Sequence, residues 1–333
     1  MQPIVLISGD GIGPEITESV LRILEAAKAD INWISASAGM LAFESSGNPL
    51  PDETISLIDQ YKLALKGPLT TPVGSGFRSV NVALRQRFNL YCNIRPARTL
   101  PGVDTRYGNV DLVTFRENTQ GMYIGMERYI DDDENQAETV AIITREASER
   151  IIRAAFEYAR KHGRKKVSLI HKANILKYTT GLFLKVGKEI AADYPEILFN
   201  DMIVDNTAMQ MVMRPEIFDI LVTTNLFGDI LSDLASGLVG GLGMTGSANL
   251  GDQHAIFEAV HGSAPDIAGQ GKANPTALLL SAVMLLDHIN RQDTAEKIRR
   301  ALYRVLPDKE CVTADLGGKG TTGVFTDAII RNL

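Results

Sequence analysis

The feature that most constrains the fold of this chain is a regular alternation of short apolar runs with amphipathic helical patterns. After Pro14, apolar residues recur at the spacing of one helical face, and the same spacing returns in residues 145–161. Strands that alternate with helices are typical of α/β proteins, in which helices cover the faces of a sheet. We therefore expect an α/β fold, with strands at residues 4–7, 62–65, 110–115, 140–143, 167–170, 220–223 and 255–260.

The chain is long enough for two domains, since it has 333 residues and 45% of them are hydrophobic. Two stretches have the character of crossings between domains: the proline-containing residues 95–102 and the glycine-rich residues 237–243. The segment between them has predicted strands and helices of its own. We therefore predict a large discontinuous domain, residues 1–98 and 244–333, and a smaller inserted domain, residues 99–243.

Composition argues against several classes of protein. A formal net charge of -6 and a pI near 5.5 argue against a nucleic-acid or anionic-membrane surface, because phosphates are bound by clustered Lys and Arg. Cys92 and Cys311 lie far apart without CxxC spacing, so neither a disulfide framework nor a zinc site is expected. No run approaches the roughly 20 apolar residues of a membrane span, and the N-terminus lacks a signal-peptide pattern. We expect a soluble protein of a reducing, intracellular compartment.

The segment Gly9-Asp10-Gly11-Ile12-Gly13-Pro14-Glu15 follows the first predicted strand and opens a helix, as a dinucleotide-binding loop does. The strict GxGxxG pattern is incomplete here. Glu15 also places an acidic side chain where a pyrophosphate would dock on the helix N-terminus. The pattern therefore favours a structural turn over a Rossmann loop.

A second segment has the character of an anion receptor. Ser79 suits an N-cap, and Asn81 and Arg85 lie four residues apart on one helical face. Arg95 follows, and Arg116 comes at the end of the strand predicted at 110–115. Arginines bind carboxylates and phosphates through paired hydrogen bonds, although a single arginine is more often a salt-bridge partner. The convergence of these groups predicts a site for a carboxylate or a phosphate.

A pair of carboxylates comes shortly after the apolar run at 220–222. Asp229 and Asp233 lie at positions i and i+4, so a helix would present both on one face. Such a pair repels itself unless a cation lies between the two groups, and oxygen ligands suit a hard divalent cation. The alternative is that Asp229 caps the helix and Asp233 is solvated, and the spacing alone does not decide between them.

Two loops that follow predicted strands carry further polar residues. Lys172 and Asn174 come directly after the strand predicted at 167–170, at the strand end where α/β proteins place their sites. A lysine near a metal can lose its proton at neutral pH, although a surface lysine is commoner. Residues 258–274 form a loop rich in Gly, Ser, Pro and Asn, which suits a ligand. His261 within it is either a metal ligand or a core histidine.

Taken in this order, these segments closely resemble the isocitrate and isopropylmalate dehydrogenases, the family of β-decarboxylating dehydrogenases. The resemblance runs from Gly9 to the final helix. It implies a fold that is not a Rossmann fold, with a mixed sheet through both domains and an active site completed by the second subunit of a homodimer. The motifs that carry it are Gly67-Pro68-Leu69-Thr70-Thr71-Pro72-Val73-Gly74, Phe115-Arg116-Glu117-Asn118-Thr119, residues 225–233 and His261-Gly262-Ser263-Ala264-Pro265.

The resemblance also implies roles for individual residues. Tyr123 would be the proton donor. Lys172 and Asp205, both from the other chain, would together act as the base. Mg²⁺ or Mn²⁺ would be held by Asp229 and Asp233 of one chain and by Asp205 of the other. The substrate would be bound by Ser79, Asn81, Arg85, Arg95, Arg116 and Asn174. The cofactor would rest on Thr70, His261, Gly262, Ser263, Ala264, Pro265, Asp266, Ile267 and Asn274.

Within the family that the chain resembles, the helix before the first arginine distinguishes the substrates. Isocitrate enzymes carry a Ser and an Asn two residues apart there, isopropylmalate enzymes an apolar segment, and homoisocitrate enzymes another motif. Ser79 and Asn81 match the isocitrate pattern, since a hydroxyl and an amide can satisfy an extra carboxylate. The implied activity is the NAD-dependent oxidative decarboxylation of isocitrate to 2-oxoglutarate and CO2. The alternatives are a homoisocitrate or isopropylmalate dehydrogenase, or a regulatory subunit of a hetero-oligomeric isocitrate dehydrogenase.

The choice of cofactor depends on Asp266 and Ile267. NADP enzymes of the family have Lys and Tyr at these positions, whereas an Asp accepts from ribose hydroxyls and repels a 2'-phosphate. Residues 314–318 also lack the Tyr and Arg that help to bind that phosphate. We expect an NAD enzyme with no nucleic-acid or membrane partner. We expect it in the cytoplasm, or in the mitochondrial matrix if the chain is a processed eukaryotic form.

Overall fold

The computed structural model describes residues 1–72, 77 and 79–333, so Val73 and Gly74 of the predicted 67–74 motif lie outside the described residues. The chain forms two compact units. The first consists of Met1–Phe88, Arg98–Gly108 and Ser236–Leu333, and the second of Asn89–Ala97 and Asn109–Ala235. The domain boundaries predicted near residues 98 and 243 remain a prediction.

Strands and helices alternate along most of the described chain. The strands are β1 (Gln2–Ile7), β2 (Ile31–Ala36), β3 (Leu63–Lys66), β4 (Cys92–Arg98), β5 (Asp111–Glu117), β6 (Glu127–Tyr129), β7 (Ala137–Thr139), β8 (Lys166–His171), β9 (Leu198–Ile203), β10 (Ile220–Thr223), β11 (Gly246–Leu250) and β12 (Ala255–Ala259). The α-helices are α1 (Gly13–Ala26), α2 (Met40–Ser46), α3 (Asp52–Tyr61), α4 (Val80–Arg87), α5 (Arg145–His162), α6 (Thr179–Ala191), α7 (Val204–Met213), α8 (Asn225–Leu238), α9 (Thr276–His288), α10 (Gln292–Val305) and α11 (Thr322–Arg331). Short 3-10 turns lie at Met122–Ile124, Pro215–Ile217, Leu242–Met244, Pro265–Ile267 and Ala314–Leu316.

In the first unit, the strands lie in the order β2-β1-β3-β12-β11. Neighbours are parallel except β11 and β12, which are antiparallel. One hydrophobic core contains these strands and the apolar faces of four helices, α1, α9, α10 and α11. The helix α9 is apolar around most of its surface, whereas α1 is apolar along one stripe. Since β1, β3 and β12 are parallel, the loops that follow them meet at the same edge of the sheet.

In the second unit, the strands lie in the order β4-β5-β10-β8-β9. β5, β10, β8 and β9 are parallel, and their register places Val222 opposite both Phe115 and Leu169. The buried stripe of α5 packs on these strands. The segments that follow the carboxyl ends of these parallel strands contain residues predicted to bind substrate or metal. These residues therefore lie at the same edge of the sheet.

One predicted strand is wrong. Residues 140–143 contain only an isolated bridge between Gly121 and Ile142, and the nearby strand is β7, which pairs with β6 in a separate antiparallel hairpin. The side chains of Val140 and Ile142 are about 40% exposed, at 42% and 41%, so this apolar run is not the buried strand that its composition indicated. Among the described residues, no helix is both long and apolar enough to cross a lipid bilayer.

Candidate active site

In the second unit, Arg116 is held at the end of β5. Its side chain is only 1% exposed, and its Nε and one terminal nitrogen donate to Oδ1 of Asn225 at 2.9 and 2.7 Å. The other terminal nitrogen pairs with Asp229. Gly228 makes room for this side chain, because a Cβ there would lie 2.6 Å from Cγ of Arg116. The glycine between Asn225 and Asp229 therefore lets the strand end and α8 approach each other.

Arg95 is the second buried arginine of this unit and comes from β4. It donates to the Ser232 hydroxyl at 2.8 Å and to Oδ1 of Asp233 at 3.0 Å. A terminal nitrogen also lies 3.8 Å from Asp229. Two of the three arginines that were predicted to bind substrate are therefore each paired with a carboxylate that was predicted to bind metal.

Asp229 and Asp233 lie on one face of α8, as their spacing predicted. The capping alternative is wrong, because α8 begins at Asn225, more than one turn before Asp229. Burial raises the pKa of Asp233 and so does Asp229 beside it, while Arg95 and Arg116 act in the opposite direction. Two oxygen ligands that partly repel each other fit a hard divalent cation.

Tyr123 completes this cluster from the 3-10 turn Met122–Ile124. Its hydroxyl donates to Oδ2 of Asp229 at 2.5 Å, and the guanidinium of Arg116 lies 5.0 Å from the centre of its ring. Burial and the hydrogen bond to Asp229 raise the pKa of Tyr123, and Arg116 opposes the shift. The phenol therefore carries its proton at neutral pH, as a proton donor must.

Lys172 and Asp205 form another pair in the same unit, with 2.7 Å between Nζ and Oδ1. The hydrogen bond from Lys172 lowers the pKa of Asp205. Among the described residues, no group of three or more acidic, His or Cys side chains is placed to hold a metal, so Asp205 does not join Asp229 and Asp233 within the chain. The expected role of Asp205 in the site of a second copy of the chain stays a prediction. Asn174 lies nearby in the sequence and is exposed.

His171 positions Lys172 and was not predicted to have a role. It is buried at the end of β8, where Nδ1 accepts from the backbone N–H of Ala173 at 3.0 Å. Nε2 therefore carries the proton and donates to Asp201 at 3.0 Å. The buried position directly before Lys172 is the only signal of this role in the sequence.

The first unit contains the residues predicted to select the substrate. Ser79 is the N-cap of α4, as expected, and accepts from the N–H of Val82 at 3.4 Å. A terminal nitrogen of Arg85 pairs with Glu258 at 3.0 Å. Oδ1 of Asn81 and Nε of Arg85 are buried and have no hydrogen-bond partner among the described residues, so both retain bonding capacity for a bound group.

Glu258 and Lys66 form a buried ion pair that the sequence did not reveal. Their charged atoms are 2.6 Å apart, and Asn249 donates to the same carboxylate at 2.8 Å. Burial alone would raise the pKa of Glu258, but Lys66 and Arg85 outweigh it and hold that pKa far below its usual range. The carboxylate is therefore ionised at every physiological pH and fixes the position of Arg85.

The residues predicted to bind the cofactor occupy loops of the first unit. The hydroxyls of Thr70 and Ser263 are 2.6 Å apart. Nδ1 of His261 lies 2.9 Å from the carbonyl of Gly262, so Nδ1 carries the proton. Nε2 of His261 is then an acceptor, and it is buried without a partner in the part of the chain that the structure describes. Burial lowers the pKa of His261, which keeps the ring neutral.

The rest of the predicted cofactor segment is shaped by a strained turn. Ala264 has a φ of 37°, in the left-handed region, and leads into the 3-10 turn Pro265–Ile267, where Asp266 is exposed. Asn274 is buried and already committed, since its amide donates to Asp315 at 2.9 Å and accepts from the N–H of Thr276. The acceptor Nε2 of His261 is the observation in this segment that fits a bound dinucleotide, and the cofactor contact expected of Asn274 stays a prediction.

The fold and this cluster place the chain in a family of dehydrogenases. A family model described as isocitrate/isopropylmalate dehydrogenase matches residues 3–332, and the chain belongs to that family, with its mixed α/β fold. An isocitrate dehydrogenase from Methylococcus capsulatus, known from a crystal structure, is 55% identical with a TM-score of 0.98 and covers 100% of this chain and 99% of its own.

Curated relatives are named as subunits. The mitochondrial NAD isocitrate dehydrogenase catalytic subunit 5 of Arabidopsis thaliana is 50% identical, over 98% of this chain and 87% of its own length. A mitochondrial NAD isocitrate dehydrogenase regulatory subunit of Dictyostelium discoideum is 47% identical, over 100% of this chain and 92% of its own length. The family membership inferred from the motifs is confirmed, and similarity alone does not separate catalytic from regulatory relatives.

Proposed function

We propose that this chain is a catalytic NAD-dependent isocitrate dehydrogenase, which converts isocitrate to 2-oxoglutarate and CO2 with Mg²⁺ or Mn²⁺. The observation that carries the proposal is the start of α4, where Ser79, Asn81 and Arg85 offer a hydroxyl, an amide and a guanidinium on one helix. An extra carboxylate of the substrate is satisfied by such groups, whereas an apolar helix would leave it buried without partners. The Arabidopsis relative named above, a catalytic subunit of an NAD isocitrate dehydrogenase, supports this assignment.

The metal would be held by Asp229 and Asp233 of one chain and by Asp205 of another. When bound, it would polarise the 2-hydroxyl of the substrate and stabilise the negative charge that decarboxylation leaves behind. Arg95 and Arg116 would then bind the substrate carboxylates through their terminal nitrogens. Both are almost fully buried, which strengthens their attraction for an anion.

The remaining residues would move protons. The pair of Lys172 and Asp205 from the second chain would take the proton of the 2-hydroxyl as hydride passes to NAD. Tyr123, which is protonated at neutral pH, would return a proton to carbon after CO2 has left. Asn174 would contact the substrate from the same loop as Lys172.

NAD is the proposed cofactor, held by Thr70, residues 261–267 and Asn274. His261 Nε2 would accept a hydrogen bond from it. The exposed carboxylate of Asp266 would accept from the ribose hydroxyls and repel a 2'-phosphate. We therefore expect kcat/KM with NAD to exceed that with NADP by at least about tenfold.

The alternative of a regulatory subunit is tested by asking whether the chain has all of the expected catalytic and binding residues. A regulatory chain would be expected to lack some of them, yet Arg85, Arg95, Arg116, Tyr123, Lys172, Asp205, Asp229 and Asp233 are all present. Homoisocitrate or isopropylmalate remains the alternative within the enzyme class. The oligomer that we propose is a homodimer with shared sites, in the cytoplasm or in the mitochondrial matrix.

The deciding experiment uses the purified chain with no other protein present. Isocitrate, NAD and Mg²⁺ are added, and NADH is followed by its absorbance. Turnover of isocitrate with a kcat/KM above that of homoisocitrate and isopropylmalate supports the proposal. Turnover only after a different, catalytic chain is added would identify a regulatory chain, and a preference for another acid would reassign the substrate.

A further inference from the structure

The Gly9–Glu15 segment, residues 9–15, is conspicuous in the sequence but has no part in the proposed chemistry. It follows β1, and the loop with Thr70 follows β3, while the loop with His261 follows β12. Because these strands are parallel neighbours, the three loops lie side by side at one edge of the sheet. We propose that residues 9–15 position the NAD-binding loops, with Asp10 and Glu15 as the positioning residues. This inference rests on the proposed function.

Asp10 connects this segment to Thr70. Its buried carboxylate accepts from the backbone N–H groups of Thr70 at 2.8 Å, Met40 at 2.9 Å and Leu41 at 3.1 Å. Gly39 is required for this approach, since a Cβ there would lie 2.3 Å from Oδ2 of Asp10. The carboxylate therefore fixes the backbone of Thr70 and, through it, the direction of the Thr70 hydroxyl.

Backbone contacts connect the same segment to the His261 loop. The N–H of Ile12 donates to the carbonyl of Ser263 at 2.8 Å. The N–H of Asp10 donates to the carbonyl of Pro68, also at 2.8 Å. A Cβ on Gly11 would lie 2.0 Å from the Ser263 carbonyl, so only glycine fits there. The Ser263 and Thr70 hydroxyls are 2.6 Å apart, so the His261 loop and the Thr70 loop also contact each other directly.

Glu15 connects the segment to the chain just before Asn274. Its two oxygens accept from the N–H groups of Ala273 at 3.2 Å and Gly271 at 3.3 Å. Oε1 also accepts from the Thr322 hydroxyl at 2.5 Å, at the start of α11. An acidic side chain at this position therefore acts as an acceptor for loop N–H groups.

These contacts predict a selective defect when Glu15 loses its charge. In Glu15→Gln, one carboxylate oxygen becomes an NH2 group that cannot accept, so one loop N–H or the Thr322 hydroxyl loses its partner. We expect the dissociation constant for NADH and the KM for NAD to rise about tenfold, as for one lost charge-assisted hydrogen bond. The KM for isocitrate and kcat should stay within about threefold.

The test compares matched variants of the full chain. Glu18→Gln makes the same substitution at an exposed position of α1 and serves as the control. Thr322→Val should reproduce the defect of Glu15→Gln, and Thr322→Ser, which keeps the hydroxyl, should restore wild-type binding. NADH affinity is measured by fluorescence titration, and the KM values for NAD and isocitrate are measured separately.

Asp10→Asn should weaken NADH binding in the same way, and thermal unfolding of each variant shows whether it is folded. The inference is overturned if Glu15→Gln binds NADH like Glu18→Gln, or if it loses isocitrate and NADH to the same extent. A wild-type chain that binds NADH but does not oxidise isocitrate would overturn the proposed function while the binding comparison still tests the inference. A wild-type chain that does not bind NADH would overturn both.

Discussion

At the scale of single residues, the main feature is a cluster of two arginines and two aspartates that form ion pairs with one another. Arg95 and Arg116 are paired with Asp233 and Asp229, so the arginines and the carboxylates neutralise one another. A metal alone would have to separate these pairs, and so would an anionic substrate alone. In the proposed complex, the metal would bind the carboxylates and the substrate would bind the arginines, so that no buried charge would be left unpaired.

This exchange of partners predicts that metal and substrate bind cooperatively. We expect isocitrate to bind at least about tenfold more tightly when Mg²⁺ is present, within the range of ordinary coupling between sites. Calorimetric titration of isocitrate, with and without Mg²⁺, measures the effect, and titration of Mg²⁺ with and without isocitrate must give the same factor. Equal isocitrate affinities in the two conditions would show that the arginine pairs do not oppose binding.

The substrate selectivity that we propose for α4 also depends on single residues. The double variant Ser79→Leu with Asn81→Leu removes the hydroxyl and the amide but keeps Arg85. We expect kcat/KM for isocitrate to fall about a hundredfold or more, because its extra carboxylate would face leucines. Isopropylmalate lacks that carboxylate and should lose far less. Equal losses for both acids, measured side by side, would mean that this helix holds the substrate without selecting it.

At the scale of secondary structure, the buried ion pair of Lys66 and Glu258 joins β3 to β12, where the two residues are partners in register. Neutralising the acid in Glu258→Gln leaves the ammonium buried without a counter-charge, at a cost of about 3–5 kcal/mol in the free energy of unfolding. The exposed pair of Arg22 and Asp327 offers a control, and Asp327→Asn should change stability by less than about 1 kcal/mol. Denaturant unfolding at pH 7 gives both values.

The pH dependence of this effect follows from the direction of the pKa shift. Glu258 has its pKa lowered in the folded chain, so its stabilising contribution is complete above the unfolded value of about 4.3. It is lost as the pH falls through the folded value. The stability difference between the wild type and Glu258→Gln should therefore be constant from pH 7 to about 5 and shrink below about 4. A difference that grew on acidification would contradict the assignment of the charge.

These elements show how far the sequence alone could be interpreted. Hydrophobic periodicity predicted the α/β class and six of the twelve described strands, because burial imposes the pattern locally. It could not reveal the pairing of Lys66 with Glu258, which depends on β3 and β12 being neighbours in the sheet. The helix start at Ser79 was predictable from a local cap, whereas the role of His171 depends on Asp201 of the adjacent strand. Local signals predicted the elements, and sheet order determined which side chains meet.

At the scale of the whole molecule, the proposed assembly is supported by apolar side chains that the second unit leaves exposed. On α7, Met209 and Met213 are 49% and 64% exposed, and Ile230 on α8 is 57% exposed. Tyr178, in the segment after Lys172, is 93% exposed. Large apolar side chains gathered on one unit are typical of surfaces that another chain covers. The sequence could not tell a copy of this chain from a different protein as the occupant.

The proposed sharing of active sites between two copies has a consequence that activity can measure. Lys172→Met removes the proposed base, and Asp229→Asn removes a metal ligand, so each variant alone should be almost inactive. If Lys172 acts in the partner's site, a dimer that contains one chain of each kind has one site with both residues intact. Random mixing of the two variants by mild denaturation and refolding should restore about a quarter of the wild-type activity, since half of the dimers are mixed and each has one working site.

Light scattering of the wild type and of the mixture confirms that dimers are the species measured. A mixture of Lys172→Met with a second, separately prepared batch of Lys172→Met is the control, and it should stay inactive. Restored activity requires that the base and the metal ligands of one site come from different chains. If the mixture of Lys172→Met and Asp229→Asn also stays inactive while both variants refold to dimers, each chain builds its site alone, and Asp205 is not the third ligand of a neighbouring site.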